Sequence, residues 1–453
     1  MTKIAEKNDI FPLPLTLFEK YFLMDSSVEY PMLIKGRLTL TGDLNRKNFE
    51  TAVQQALDSH PLFLKKIAKQ CGYFYWTRDE EPFAVKWLDE PSSNVLSMFY
   101  HDIDEYYPMR MAVEKRDDHA IVHYFCHHAR CDGMGLFRFW GDIFAAYAAA
   151  QGETVPDACP IELERIVERD RFQEKELPEK LSAFRIFWES LKGVVKWLRL
   201  RPLPLGEKKS EFLSDEPRFG EMSHLCPPES VEQLQQYAKL HDAKLNDLVM
   251  TLLFTAVAKW QRDRFASGEN RIIRFNIPVN MRWDGCERSP AANIISYDFM
   301  TRTIHDCLSD LRPLLNGVHE EMQFFKDWQT TFIFLDALAF FNRIPGGLRR
   351  MVRSKTSLAS LVYSNVGVLD RTFGREFRRS QDQKPLFGNM QLDDMRAYAP
   401  CRRMTHLTIV FATLANRMTL HCHYDREFIS DEDMRLLLQY YDREQAKVTG
   451  DHP

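Results

Sequence analysis

Apolar and polar positions follow their clearest pattern between Ala120 and Tyr147. Ala120 to His127 is a run of apolar, β-branched and aromatic residues directly after the turn-forming pair Asp117-Asp118, which predicts a buried strand. Successive strand side chains point to opposite faces, so Ile121, His123, Phe125 and His127 share one face and Val122, Tyr124, Cys126 and His128 the other. The adjacent histidines therefore cannot do the same job. Beyond an Asp132-Gly133 turn, Leu136, Phe137, Trp140, Ile143, Phe144 and Tyr147 recur at helical spacing, and Met134 to Ala150 reads as an amphipathic helix. His128 then stands at a strand end facing a loop, where reactive groups are often presented.

The same grammar recurs along the chain. Leu407–Ala412 and Met418–Tyr424 read as a strand pair, with a helix from Asp431 to about Gln445 behind them. Between Glu174 and Arg218 Lys, Glu and Pro cluster, and this stretch marks the best boundary. The expectation is an α/β (α+β) chain: an N-terminal subdomain over 1–180 carrying the paired histidines, a crossover linker over 181–215, and a C-terminal subdomain over 216–453. In the linker, Phe184, Phe187, Trp188, Leu191, Val194, Val195 and Leu198 fall at helical spacing among basic residues. Such a helix either packs on its own domain, the favoured reading, or lies on an anionic lipid surface. Phe324 to Met351 is dense in aromatics, which suits a core or the wall of a site for an apolar chain, and Pro345-Gly346-Gly347 breaks it into separate helices.

Composition narrows the class. A chain of 453 residues with 45% hydrophobic content can bury large cores, and a formal charge of −4 without a basic, aromatic-interleaved run argues against nucleic acid as a partner. Met1 to Asp9 is charged and lacks the apolar region of a signal peptide, and the longest apolar stretch, Phe332 to Phe341, is broken by Asp336 and too short to span a bilayer. Nine cysteines at irregular spacing point to reduced thiols rather than a disulfide framework. A cytoplasmic location is expected.

A neutral imidazole can take a proton from a hydroxyl or amine near pH 7, so His128 is the candidate general base. No Gly-x-Ser-x-Gly elbow or protease-like Cys accompanies it, which disfavours a covalent acyl-enzyme. His123, His127 and His128 lack the spacing and companions of a zinc site, and no metal is expected.

The string His127-His128-Ala129-Arg130-Cys131-Asp132-Gly133 resembles the His-His-x-x-x-Asp-Gly motif of the chloramphenicol-acetyltransferase-like acyltransferases, which include condensation domains, alcohol O-acyltransferases and wax ester synthases. Further landmarks occur in the family's order: Leu38 to Leu44 and a helix from about Arg46 to Asp58, resembling the opening strand and helix, then His60-Pro61-Leu62-Phe63, Pro108-Met109-Arg110-Met111, Leu245 to Val249, Ile277 to Arg282 followed by Asn293, and Ser364-Asn365-Val366-Gly367. Where many members carry Arg shortly after His-Pro, this chain has Lys65 and Lys66, which leaves open whether that charge serves structure or substrate.

The resemblance implies two pseudo-repeated subdomains, each a mixed sheet flanked by helices, around a tunnel with His128 at its middle. It implies direct transfer from a thioester, with acyl-coenzyme A as cosubstrate and no tightly bound cofactor, to an alcohol or amine. Asp132 becomes a positioning residue, with Arg282 or Arg37 as its partner. The backbone N–H of Gly133, or Ser364 or Asn365, is the candidate oxyanion donor. His127, Asn293 and Arg282 join Ser364 and Asn365 as substrate-site candidates. Carrier-protein thioesters are the alternative donors, and a non-catalytic lipid binder is the reading from another class.

Overall fold

The computed structural model describes residues 10–90, 108–156, 159–171, 200–209, 217–327 and 330–450. The amphipathic helix expected over 184–201 lies, but for its last two residues, outside the described residues.

The N-terminal strands are β1 (Leu13–Pro14), β2 (Leu33–Thr41), β3 (Lys65–Gln70), β4 (Tyr73–Glu80), β5 (Val85–Leu88), β6 (Arg110–Lys115) and β7 (His119–His127). The C-terminal ones are β8 (Phe219–Cys226), β9 (Ile272–Asn280), β10 (Ile295–Thr303), β11 (Leu361–Val368), β12 (Arg378–Arg379), β13 (Pro385–Phe387), β14 (Met390–Tyr398), β15 (Leu407–Leu414) and β16 (Arg417–Asp425). They form two large mixed sheets, in the orders β12-β13-β14-β2-β7-β6-β5 and β10-β9-β11-β15-β16-β8, plus a small sheet β1-β4-β3.

The helices that frame the site are α1 (Leu17–Asp25), α2 (Arg46–Ser59), α3 (Gly133–Ala150), α4 (Leu245–Phe265), α5 (Leu311–Asp327), α6 (Thr331–Arg343), α7 (Gly347–Val352) and α8 (Asp431–Thr449). The strand expected over 120–127 and the helices expected over 46–58, 134–150 and 431–445 thus form with ends moved by a few residues or fewer. Local chemistry sets those ends. The Asn45 side chain accepts from the Asn48 N–H at the start of α2, and Ser430 and Asp433 cap each other's backbone at the start of α8.

One crossing was not visible in the sequence. β14, from the C-terminal half, lies antiparallel to β2 with Gln391 opposite Thr41 and Tyr398 opposite Lys35, so a C-terminal strand extends the N-terminal sheet. Backbone hydrogen bonds satisfied across the two halves fix their relative position more firmly than side-chain contact alone would. One core is built around Trp140 and Phe144 of α3 and also takes in Val366, Val410 and Ala412. A second is built around α4. No described helix is long and apolar enough to cross a membrane.

Candidate active site

β2 and β7 pair antiparallel over their whole length, Leu33 opposite His127, and the His128 N–H extends that ladder by donating to Met32 O at 2.7 Å. The chain then turns and enters α3 at Gly133, capped by Asp132, whose carboxylate accepts from the Gly135 N–H at 2.8 Å. Strand end, turn and helix start therefore hold His128 through its backbone, leaving the ring for other work.

That ring lies flat on Phe22 of α1, centroids 4.0 Å apart and planes 10° from parallel. Its Nδ1 is enclosed and meets no hydrogen-bond partner, and the His128 carbonyl accepts from Asn293 Nδ2 at 2.5 Å. Burial lowers the His128 pKa against the opposing pull of nearby carbonyls and Asp132, so the neutral imidazole prevails at pH 7.

His127 turns the other way and is fully buried. Its Nδ1 accepts from the Ala129 N–H at 3.0 Å, which makes it part of the turn, and burial, Arg130 and His128 push its pKa down to about 3. Among the substrate-site candidates it is the one whose ring is withdrawn into the turn. His123, further back on β7, pairs with Glu114 of β6 at 2.9 Å.

Asp132 is saturated. Arg282 grips it with two nitrogens at 2.8 and 2.9 Å, and the N–H groups of Gly135 and Ile294 each reach it at 2.8 Å. With four donors occupying its two oxygens, the carboxylate is built to hold parts together. Arg37, the other partner considered, sits on β2 opposite His123. Arg282 also donates to Ala292 O at 3.3 Å, and Asp132 N–H to the same carbonyl at 3.3 Å. The segment 291–294 is thereby fastened beside the His128 loop.

The structure alters the reading of the glycines. Gly133 does not need a left-handed backbone: it is the first residue of α3, and a Cβ there would stand at an ordinary 3.4 Å from Val366 Cγ1 of β11. The tighter approach is at Gly135, where a Cβ would come within 3.2 Å of the Ala292 nitrogen. Among the described residues nothing accepts the Gly133 N–H, which lies in the first turn of α3 where helix dipole and free donors favour negative charge.

Asn365 is committed elsewhere: it donates to Asn246 Oδ1 at 2.7 Å and accepts from the Gly367 N–H at 2.7 Å, tying β11 to the start of α4. Ser364 is half-buried on the same strand, opposite Val410. Lys65 resolves towards structure, since it is buried, donates to Arg78 O at 2.7 Å and pairs with Glu80 at 3.1 Å, whereas Lys66 is exposed.

Two supporting residues carried no signal of this role in the sequence. Arg130, an unspecified position of the motif, is buried and donates to Leu62 O at 2.6 Å and Lys65 O at 2.9 Å, with its guanidinium over Trp76. His60, noticed only for its Pro neighbour, accepts from the Ala291 N–H through Nδ1 at 2.8 Å and therefore carries its proton on Nε2, which donates to Asp142 of α3 at 2.9 Å. Although burial works against it, His60, Arg138 and Arg375 together hold the Asp142 carboxyl well below the ordinary range. His60 thus orients the segment that carries Asn293. His60→Ala leaves the Ala291 N–H and part of Asp142 unpaired, with an expected cost of about 1–3 kcal/mol in urea unfolding and a fall in turnover that His60→Asn does not fully restore. A variant as stable and active as the parent would free His60 from this role.

Two mixed α/β halves, stitched by β14 and meeting at the His127–Gly133 loop, define a chloramphenicol-acetyltransferase-like acyltransferase fold. The chain belongs to the condensation domain family, whose model matches residues 23–267, more than half of its length. Solved structures agree in fold. A trichothecene 15-O-acetyltransferase from Fusarium sporotrichioides superposes with a TM-score of 0.67 at 10% identity, covering 96% of this chain and 94% of that one. The first condensation domain of the CDA synthetase gives 0.64 at 14% identity over 97% and 96%. The starter condensation domain of a rhizomide synthetase, solved as a mutant with C8-CoA and Leu-SNAC, gives 0.64 at 14% over 97% and 94%. No curated protein matches the chain in sequence.

Proposed function

We propose that the protein transfers an acyl group from acyl-coenzyme A to a small alcohol or amine, with His128 as general base. The observation that supports this reading is the His128 ring, held flat on Phe22, enclosed at Nδ1 and kept neutral by burial; we assign Nε2 to the acceptor. Nε2 takes the acceptor's proton as its oxygen or nitrogen attacks the thioester carbonyl. The tetrahedral oxyanion is met by the Gly133 N–H at the start of α3. Collapse expels the thiolate, which recovers the proton from His128. Asp132 and Arg282 keep the loop and Asn293 in register and take no proton. Carrier-protein thioesters are the second reading, supported by resemblance in fold to condensation domains of peptide synthetases.

The test is a panel of acyl-coenzyme A and carrier-bound donors against mixed alcohols and amines, with products read by mass spectrometry. A product from coenzyme A donors that disappears in His128→Ala supports the first reading. Product from carrier-bound donors alone moves the assignment to the second. Tight lipid binding without turnover of any thioester would replace both with a binding role.

A further inference from the structure

Helix α6 has two unlike faces. Inward, the Phe334 ring meets Phe18 and Tyr21 of α1 at 5.9 and 5.8 Å, in the same aromatic layer whose Phe22 carries the His128 ring. Outward, Ile333 and Phe340, two turns apart on the helix with exposed Asp336 between them, and Ile344, just past the helix end in extended backbone, remain 37%, 59% and 39% exposed. Scattered exposed apolar residues are ordinary, but three large ones this close together in the chain form a patch.

Past the end of the helix the chain runs into charge of one sign. Arg343, Arg349, Arg350 and Lys355 are all exposed. None of them has an ion-pair partner among the described residues, and the sequence holds no acidic residue between Asp336 and Asp370. In a chain of net charge −4, an unpaired basic cluster following an apolar patch is a segregated feature rather than an average surface.

We propose that this face docks on an anionic lipid bilayer, with Ile333, Phe340 and Ile344 entering the headgroup boundary and the Arg343–Lys355 cluster meeting lipid phosphates. An exposed apolar helix face needs a matching groove if its partner is a protein, but none if it is a fluid interface, and basic residues that follow it complement anionic headgroups. A second copy of this chain fits less well, because it would bring the same unpaired cations to a two-fold contact. Docking there sets α6 between the bilayer and the aromatic layer that carries His128. The surface stands whether or not His128 performs the reaction assigned to it.

The experiment is co-sedimentation of the full chain with vesicles of phosphatidylcholine containing about a third phosphatidylserine, against pure phosphatidylcholine. Binding is expected to the anionic vesicles only, and to weaken as salt is raised. Neutralising two basic residues in Arg349→Gln/Arg350→Gln should lower partitioning by roughly 25-fold, about fivefold for each, and Phe340→Glu should lower it as well. All three side chains are exposed, so the melting temperature stays that of the parent. No binding to anionic vesicles, or binding that both variants leave unchanged, overturns the proposal. A self-associating parent that Phe340→Glu renders monomeric, with no vesicle binding, overturns it in favour of a second copy.

Discussion

His128→Ala is expected to lower kcat/KM for acyl transfer by about 10²–10⁴, the usual worth of a positioned general base. The variant should still fold, because the contacts of His128 to Met32 and Asn293 use its backbone N–H and carbonyl, which alanine keeps. What is lost is the stack on Phe22, of order 0.5–1.5 kcal/mol. The pH profile gives an independent check. Burial lowers the His128 pKa, so the free enzyme keeps a neutral base down to a pH below the ordinary histidine value of 6.5, and activity falls only as acid protonates the ring beyond that point. The acidic limb of kcat/KM should therefore lie under 6.5 in the parent. Turnover of the true substrate unchanged by His128→Ala would end this mechanism, and a limb above 6.5 would remove His128 as its titrating group.

Arg282→Ala is expected to cost about 3–5 kcal/mol of stability, because it strands a buried carboxylate rather than merely deleting a contact. The Asp132 side chain is 2% exposed and the Arg282 side chain 18%, so the carboxylate would lose two charge-assisted hydrogen bonds in a site with little access to solvent. Activity should fall too, since Arg282 and Asp132 jointly hold Ala292 and Ile294, on either side of Asn293. Arg282→Lys restores the charge but not the two-pronged grip, and recovers only part of either loss. Asp132→Asn added to Arg282→Ala should cost less than the single Arg282 change, as the stranded charge is then gone. Urea unfolding of the single and double variants measures this. A loss under about 1 kcal/mol for Arg282→Ala would give the pair the worth of a surface ion pair. Asp132→Asn that abolishes activity at unchanged melting temperature would move Asp132 from architecture into chemistry.

Much of the local structure was legible because periodicity is written by near neighbours. The apolar run at 120–127 and the spacing from Leu136 to Tyr147 gave β7 and α3, and the His127–Gly133 string gave the loop between them. The split between the paired histidines also followed, since alternation sends adjacent side chains apart. Gly133 shows where such reading fails: Asp-Gly suggests a backbone turn, yet the close approach is at Gly135, against a segment more than 150 residues away. The aromatic stretch from Phe324 likewise looked uniform, and only packing divided it into Phe334 inside and Phe340 outside.

By itself, the sequence determined which residues could do chemistry and which elements present them: His128 at a strand end, Asp132 at a helix cap, and the family landmarks in order along the chain. It could not choose between Arg282 and Arg37, because an ion pair depends on separation in space, and both cations were equally available in composition. Tertiary structure decided that choice. It also placed β14 beside β2, seated His60 between Ala291 and Asp142, and buried Arg130 under the motif loop. Each is a hydrogen bond or charge contact closed between segments far apart in the chain, which exists only once the two cores have packed and excluded the water that would otherwise compete for it.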